Sequence, residues 1–86
     1  MSKIVFTQKA WEDYLYWQET DKKMLKRINL LLRDIKRNGN DGIGKPEPLK
    51  YLDGWSRRID GVHRLVYQIK ADAIEILQCK GHYDDK

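Results

Sequence analysis

The feature of the sequence that most constrains the fold is a stripe of apolar residues before the middle of the chain. The stripe repeats with the period of an α-helix, and its members are Met24, Leu25, Ile28, Leu31, Leu32 and Ile35. Asp21 precedes the stripe as a candidate N-cap, and Asn38 and Gly39 follow it as a helix stop. The pattern therefore predicts an amphipathic helix that buries one face.

A strand and another helix are predicted ahead of this stripe. Residues 4–6 form a short β-prone run, and Thr7 can cap a helix from about residue 8 to residue 20. Large apolar residues recur near helical spacing in that segment: Ala10, Trp11, Tyr14, Leu15 and Trp17. Base stacking is one interpretation of Trp11 and Trp17, but packing in a core or against a partner is the simpler one at this spacing. Neither tryptophan is therefore taken as a site residue.

The rest of the chain predicts a loop followed by strands. Glycine and proline dominate residues 38–53, which predicts a long loop with a functional role. Strand patterns cover residues 55–59, 64–70 and 73–80, and the short connections suit antiparallel hairpins. The order β-α-α-β-β-β predicts the α+β class, with two helices on one face of a small twisted antiparallel sheet. Residues 1–86 are expected to form a single domain.

The composition indicates the kind of binding partner and the cellular compartment to expect. The chain has 86 residues and a formal net charge of +4, which suits a polyanionic partner, although a solubility role accounts for the same charge. Cys79 is the only cysteine, so neither an intramolecular disulfide nor a thiolate metal cage can form, and a buried structural thiol is expected. The first six residues are too weakly apolar for a signal sequence or a membrane span. A cytoplasmic location is expected.

Basic residues crowd the remaining faces of the second predicted helix. They are Lys22, Lys23, Lys26, Arg27, Arg33, Lys36 and Arg37. A solvated helix face is the default interpretation, and a surface that follows nucleic-acid phosphates is the alternative.

Glu47 is the first candidate for chemistry. It lies between Pro46 and Pro48, which confine its backbone to extended geometry and hold the carboxylate away from the adjacent backbone. Lys45 and Lys50 lie nearby and favour the ionised form, as a proton acceptor requires. An exposed glutamate in a surface turn is the alternative interpretation.

Arg57, Arg58 and Arg64 lie on predicted strands, where a fixed guanidinium can bind two phosphate oxygens. Phosphoryl transfer accumulates charge on non-bridging oxygens, and donors aimed at these oxygens stabilise it. Arg64 is the first candidate for that role. Arg57 and Arg58 alternate across the pleat, so at most one of them shares the face of the site.

His82 and Tyr83 close the set of candidates. The imidazole of His82 can deliver a proton near neutral pH, and the ring of Tyr83 can stack on an unpaired base or pack at the sheet edge. His63 lies in a predicted turn and is interpreted as structural. The two histidines and the cysteine lack HExxH or CxxC spacing, so no metal or other cofactor is expected.

Five segments of the chain, in order, resemble the YoeB (Txe) toxins of bacterial toxin-antitoxin modules, within the RelE-like superfamily. The resemblance runs from Ile4 to Tyr83. The segments are residues 13–18 (DYLYWQ), 45–50 (KPEPLK), 55–59 (WSRRI), 63–67 (HRLVY) and 82–83 (HY).

The resemblance implies a microbial-ribonuclease-like α+β fold and a ribosome-dependent endoribonuclease. Such an enzyme cleaves mRNA in the A site of the 70S ribosome and blocks translation. The resemblance also implies neutralisation by a cognate YefM-type antitoxin, with the complex binding operator DNA to repress its own operon. The small core is compatible with a homodimer.

Residue roles follow from the same resemblance. Glu47 would be the general base, Arg64 would steady the phosphate, and His82 would be the general acid. Tyr83 would help to orient the substrate. Further support for the phosphate would come from Lys50 and from one of Arg57 and Arg58.

Two rival functions remain at this point. A non-catalytic RNA or ribosome binder could use the same basic face, but it would need cations and aromatic rings and no carboxylate such as Glu47. A protein that only pairs with an antitoxin and binds operator DNA is disfavoured, because no recognition-helix motif is present.

Overall fold

Two helices follow the first strand and the other strands follow the helices, in a computed structural model that describes residues 2–50 and 52–82. This order confirms the predicted α+β class and both predicted helices. The elements are β1 (Lys3–Phe6), α1 (Gln8–Thr20), α2 (Lys22–Asn38), β2 (Glu47–Pro48), β3 (Trp55–Arg58), β4 (Arg64–Ile69) and β5 (Ala73–Gln78).

The helix boundaries are set by the residues that the sequence indicated. The hydroxyl of Thr7 accepts the backbone N–H of Ala10 at 3.2 Å and caps α1. The carboxylate of Asp21 accepts the N–H of Lys23 at 3.1 Å and caps α2. Gly39, with φ at +66°, ends α2, because this left-handed backbone favours glycine.

The sheet has the strand order β1-β5-β4-β3-β2. Strands β3, β4 and β5 are antiparallel neighbours, as predicted, but β1 pairs with β5 in parallel. The prediction of an entirely antiparallel sheet is therefore wrong at this edge. The chain leaves β1 through two helices, and such a crossover permits parallel pairing, whereas turn patterns reveal only the partners of hairpin strands.

The predicted loop also contains a strand. Glu47 pairs with Ser56, and Pro48 pairs with Trp55, so β2 forms the edge of the sheet beside β3. A proline has no N–H for the strand ladder, which suits it to an edge position. Glu47 is thus fixed to the sheet as part of a strand and does not lie in a stiff loop as predicted.

The core lies between the helices and one face of the sheet. Ile28, Leu31, Leu32 and Ile35 of the predicted stripe are buried, together with Leu65, Tyr67, Ile74 and Ile76 of the sheet. Trp17 is buried in the same core, whereas Trp11 is 45% exposed and stacks on Tyr14. Within the described ranges, neither helix is long and apolar enough to cross a bilayer.

Candidate active site

The site lies on the face of the sheet that the helices leave open. The strand register places Glu47 beside Ser56 and places Arg58 beside Arg64. Side chains alternate between the two faces of a strand, so these four residues share one face. Strand pairing, and not sequence proximity, brings the carboxylate of β2 towards the guanidinium of β4.

Two adjoining grooves cut into this face. The first, here called the Glu47 groove, has a volume of about 150 Å³ and is lined by Glu47, Pro48, Leu49, Lys50, Ser56, Arg64 and His82. The second, the Arg58 groove, has a volume of about 220 Å³ and is lined by Arg58, Asp60, Gly61, Val62, Arg64 and His82. Arg64 and His82 border both grooves. The fold thus brings together the carboxylate, the guanidinium and the imidazole that the sequence indicated, with Lys50 beside them.

Arg64 is held at the boundary of the two grooves. Its Nη1 donates a hydrogen bond to Ser56 Oγ at 3.3 Å, and its backbone N–H donates to the carbonyl of Gly81 at 3.1 Å. Sequence reasoning missed Ser56. Its position two residues before Arg58 on one strand was the signal, because such residues share a face.

The turn before Arg64 is stiffened by Asp60. Its carboxylate accepts the backbone N–H groups of His63 at 2.7 Å and Val62 at 2.8 Å. These hydrogen bonds, first that of His63, lower the pKa of Asp60 below its usual range. The carboxylate is therefore ionised at neutral pH, and it fixes the turn from which Arg64 projects.

The segment that leads to His82 is anchored to α1 and to the same turn. Asp13 Oδ2 accepts the backbone N–H of Cys79 at 3.1 Å, and Trp17 Nε1 donates to the carbonyl of Cys79 at 2.8 Å. His63 Nδ1 accepts the N–H of Gly81 at 2.8 Å. Cys79 is buried, as predicted, and burial together with the Asp13 carboxylate raises the pKa of its thiol to about 12.

Arg57 lies on the opposite side of the sheet, and its side chain is fully buried. Its guanidinium donates to Asp34 Oδ2 at 2.5 Å, to the carbonyls of Ile43 and Gly39, and to the hydroxyl of Tyr67. The hydrogen bond from Arg57 lowers the pKa of Asp34. Arg57 borders neither groove, so its position does not fit the substrate contact considered for it, and Arg58 is the member of the pair on the open face.

One candidate cannot be placed, because Tyr83 lies outside the described residues. Among the residues that are described, no three His, Cys, Asp or Glu side chains group together as a metal site would require.

Solved structures place the fold in a class of small bacterial toxins. The YoeB dimer from Staphylococcus aureus matches with a TM-score of 0.90 and 53% identity, over 95% of this chain and 98% of that one. A YoeB–YefM complex from the same organism matches with a TM-score of 0.89 and 50% identity, over 96% of this chain and 99% of that one.

Sequence comparison identifies the family. Toxin YoeB of Escherichia coli (strain K12) is 52% identical over 83 residues, which cover 94% of this chain and 99% of the relative. The family described as the YoeB-like toxin of bacterial type II toxin-antitoxin systems matches residues 6–83. The chain belongs to this family of toxins.

Proposed function

We propose that this toxin is an endoribonuclease that cleaves mRNA in the ribosomal A site and thereby inhibits translation. The observation that best supports the proposal is the shared lining of the Glu47 groove by Glu47, Arg64 and His82. A carboxylate can accept a proton, a guanidinium can bind phosphate oxygens, and an imidazole can donate a proton near neutral pH. These are the groups that transesterification at a ribose 2′-hydroxyl requires.

In the proposed reaction, Glu47 removes the proton of the 2′-hydroxyl, and the 2′-oxygen bonds to the adjacent phosphorus. Arg64 stabilises the charge that develops on the non-bridging oxygens. The bond between phosphorus and the 5′-oxygen breaks, and His82 transfers a proton to that oxygen. The products are a 2′,3′-cyclic phosphate and a free 5′-hydroxyl. These protein groups supply the acid and the base without a cofactor.

The dimensions of the site favour an RNA strand that lies across it. At about 150 Å³, the Glu47 groove is smaller than the roughly 300–1,000 Å³ of sites that enclose a small ligand. The adjoining Arg58 groove extends the path, and Arg58 and Lys50 would bind phosphates along it. Tyr83 would stack on a base. So small a site would orient a flexible strand poorly by itself, so we expect the ribosome to be needed to present the mRNA.

A non-catalytic RNA or ribosome binder is the rival proposal. It would use Arg58, Arg64 and Lys50 in the same way, but it would give no role to the carboxylate of Glu47 or the imidazole of His82. Because both line the groove that contains Arg64, catalysis explains more of the site.

We also propose that a cognate YefM-type antitoxin neutralises this chain and that their complex binds operator DNA. The YoeB–YefM complex of a close relative supports the antitoxin pairing, and the YoeB dimer supports homodimer formation.

The decisive experiment maps mRNA ends by primer extension on programmed ribosomes. The wild-type protein should produce a discrete cut within the A-site codon. Glu47→Gln and His82→Ala should each slow cleavage by about 100-fold or more, because each removes a general base or acid. Glu19→Gln, an exposed carboxylate on α1, is the matched control and should cleave at the wild-type rate.

An mRNA with a 2′-deoxyribose at the cut site tests the nucleophile, since it leaves the bases and phosphates in place. Cleavage at the modified position would refute the transesterification mechanism. Translational arrest without any cut, at full strength in Glu47→Gln, would instead establish the non-catalytic binder.

A further inference from the structure

We propose that His63 is a positioning residue for the reaction, and that it acts by fixing the backbone from which His82 extends. This inference rests on the proposed role of His82 as general acid. His63 lies in the turn before β4, and its Nδ1 accepts the backbone N–H of Gly81, the residue before His82, at 2.8 Å. His63 borders neither groove, so it lies outside the two grooves in which the substrate is proposed to bind.

The hydrogen bond defines the role of His63 Nδ1. An amide N–H can only donate, so Nδ1 accepts this bond through its lone pair. The ring is held in this orientation by Trp17, whose indole meets it edge-to-face at a centroid distance of 4.8 Å. Trp17 is itself buried and bonded to the carbonyl of Cys79. These contacts therefore hold His63 Nδ1 in a fixed position.

Gly81 is clamped between His63, at the end of the turn, and Arg64, the first residue of β4. Its N–H bonds to the His63 side chain, and its carbonyl accepts the backbone N–H of Arg64 at 3.1 Å. The clamp fixes the backbone before His82 relative to Arg64, which would bind the phosphate. Gly81 has φ at +95°, which L side chains rarely adopt, so the turn towards His82 depends on glycine as well.

The chemical consequence concerns the leaving group. An acid that is displaced by about 1 Å can slow a step by roughly 100-fold, because proton transfer needs close alignment. Loss of the His63 acceptor would free Gly81 on one side and let His82 move away from the 5′-oxygen. Glu47 and Arg64 would keep their places on the sheet. The defect should therefore appear only where the leaving group needs a proton.

Two substitutions test the hydrogen-bond acceptor of His63 and its aromatic ring independently. His63→Phe keeps a ring against Trp17 but removes the lone pair. His63→Asn removes the ring but places its Oδ1 near the position of Nδ1, where it can accept the Gly81 N–H. Single-turnover cleavage is measured for these variants, His82→Ala and the wild type on programmed ribosomes. Each mRNA carries either the ordinary 5′-oxygen or a 5′-bridging sulfur at the cut site, since a thiolate leaves without protonation.

On the oxygen linkage, His63→Phe should be about 10- to 100-fold slower than the wild type, and His63→Asn should stay within about threefold of it. On the sulfur linkage, His63→Phe and His82→Ala should both come within about threefold of the wild type. An equal loss for His63→Phe on both linkages would overturn the inference. So would a wild-type rate for His63→Phe on the oxygen linkage, or a loss for His63→Asn as large as that for His63→Phe. If sulfur fails to restore His82→Ala, the acid role proposed for His82 is wrong, and this inference falls with it.

A second variant covers the case in which His63→Phe does not fold. The junction of Gln78 and Cys79 allows native ligation of a synthetic peptide for residues 79–86 without a change of sequence. Replacing Gly81 by glycolic acid in that peptide converts its N–H to an ester oxygen, which removes the donor and leaves His63 intact. We expect the same loss on the oxygen linkage and the same recovery on sulfur. A wild-type rate for the ester on the oxygen linkage would overturn the inference.

Discussion

Arg57 and Arg64 place the same guanidinium group on neighbouring strands, but on opposite faces of the sheet. Arg57 lies on the face that the helices cover, and four acceptors surround it: one carboxylate, two carbonyls and one hydroxyl. Arg64 lies on the open face, where the described residues engage its side chain through Ser56. A guanidinium has five N–H donors. The protein engages four of these donors in Arg57, whereas the described residues engage one of those in Arg64 and leave the others available to a phosphate.

Contacts on the covered face nevertheless help to position residues of the open face. Arg57 binds the carbonyls of Gly39 and Ile43, so it ties the segment after α2 to β3. The N–H of Arg58 adds a bond to the carbonyl of Gly44 at 2.7 Å. A Cβ on Gly44 would lie 2.9 Å from Leu31 Cδ2, and its φ is +80°, so glycine is required there. These contacts fix the chain that leads to Glu47 and β2.

The largest effect on folding is expected from Arg57→Met. The substitution removes the hydrogen bonds that Arg57 donates to the Asp34 carboxylate, two carbonyls and the Tyr67 hydroxyl, and it leaves Asp34 without its cation. Loss of one partner of a buried ion pair costs about 3–5 kcal/mol. Asp34 keeps some solvent exposure, so we expect the free energy of unfolding to fall by about 3 kcal/mol. Urea denaturation measures it. Arg58→Met, on the next residue, is the matched control and should change the value by less than about 0.5 kcal/mol. An equal fall in the free energy of unfolding for Arg57→Met and Arg58→Met would show that the two faces do not differ in this respect.

Arg64→Met should show the reverse behaviour. Cleavage of ribosome-bound mRNA should slow by about 100-fold, because a preorganised donor to the developing charge is lost. The free energy of unfolding should fall by less than about 1 kcal/mol, since one long hydrogen bond to Ser56 is removed. Rate and stability are measured on the same preparation. A variant that cleaves normally, or that unfolds as readily as Arg57→Met, would contradict a substrate role.

Local sequence patterns predicted those parts of the fold that depend on residues close together in the sequence. The α2 stripe and the caps at Thr7 and Asp21 are of this kind. The pairing of β1 with β5 and the bonds from Asp13 and His63 to residues 79 and 81 join distant segments, so no local pattern reveals them. The alternation of Arg57 and Arg58 was predicted, but not which one faces the site. Trp55 supplied a signal, because it shares the face of Arg57 and a large aromatic residue favours the core.

Asp34→Asn tests the covered network through pH and should have a smaller effect than loss of Arg57, since asparagine can still accept a hydrogen bond. The folded state lowers the pKa of Asp34, chiefly through Arg57. The ionised carboxylate therefore contributes stability above its unfolded pKa of about 4, and the contribution is lost as the pH falls through the lower folded value. The stability difference between wild type and variant should shrink from about pH 7 to about pH 3. A constant difference in urea denaturation would show that the charge of Asp34 contributes nothing.

Arg58→Ala should have the smallest effect, and it sharpens the comparison because Arg57 is its neighbour. Arg58 is exposed at the edge of the second groove, where it would hold a phosphate beyond the scissile one. Its loss should weaken the apparent affinity for programmed ribosomes by about three- to tenfold, and it should reduce the salt dependence of binding by about one phosphate contact. The rate at saturation should stay close to that of the wild type. Titrations at two salt concentrations measure both quantities. If the saturating rate falls as far as in Arg64→Met, then Arg58 acts on the scissile phosphate itself, and the open face holds two catalytic guanidinium groups.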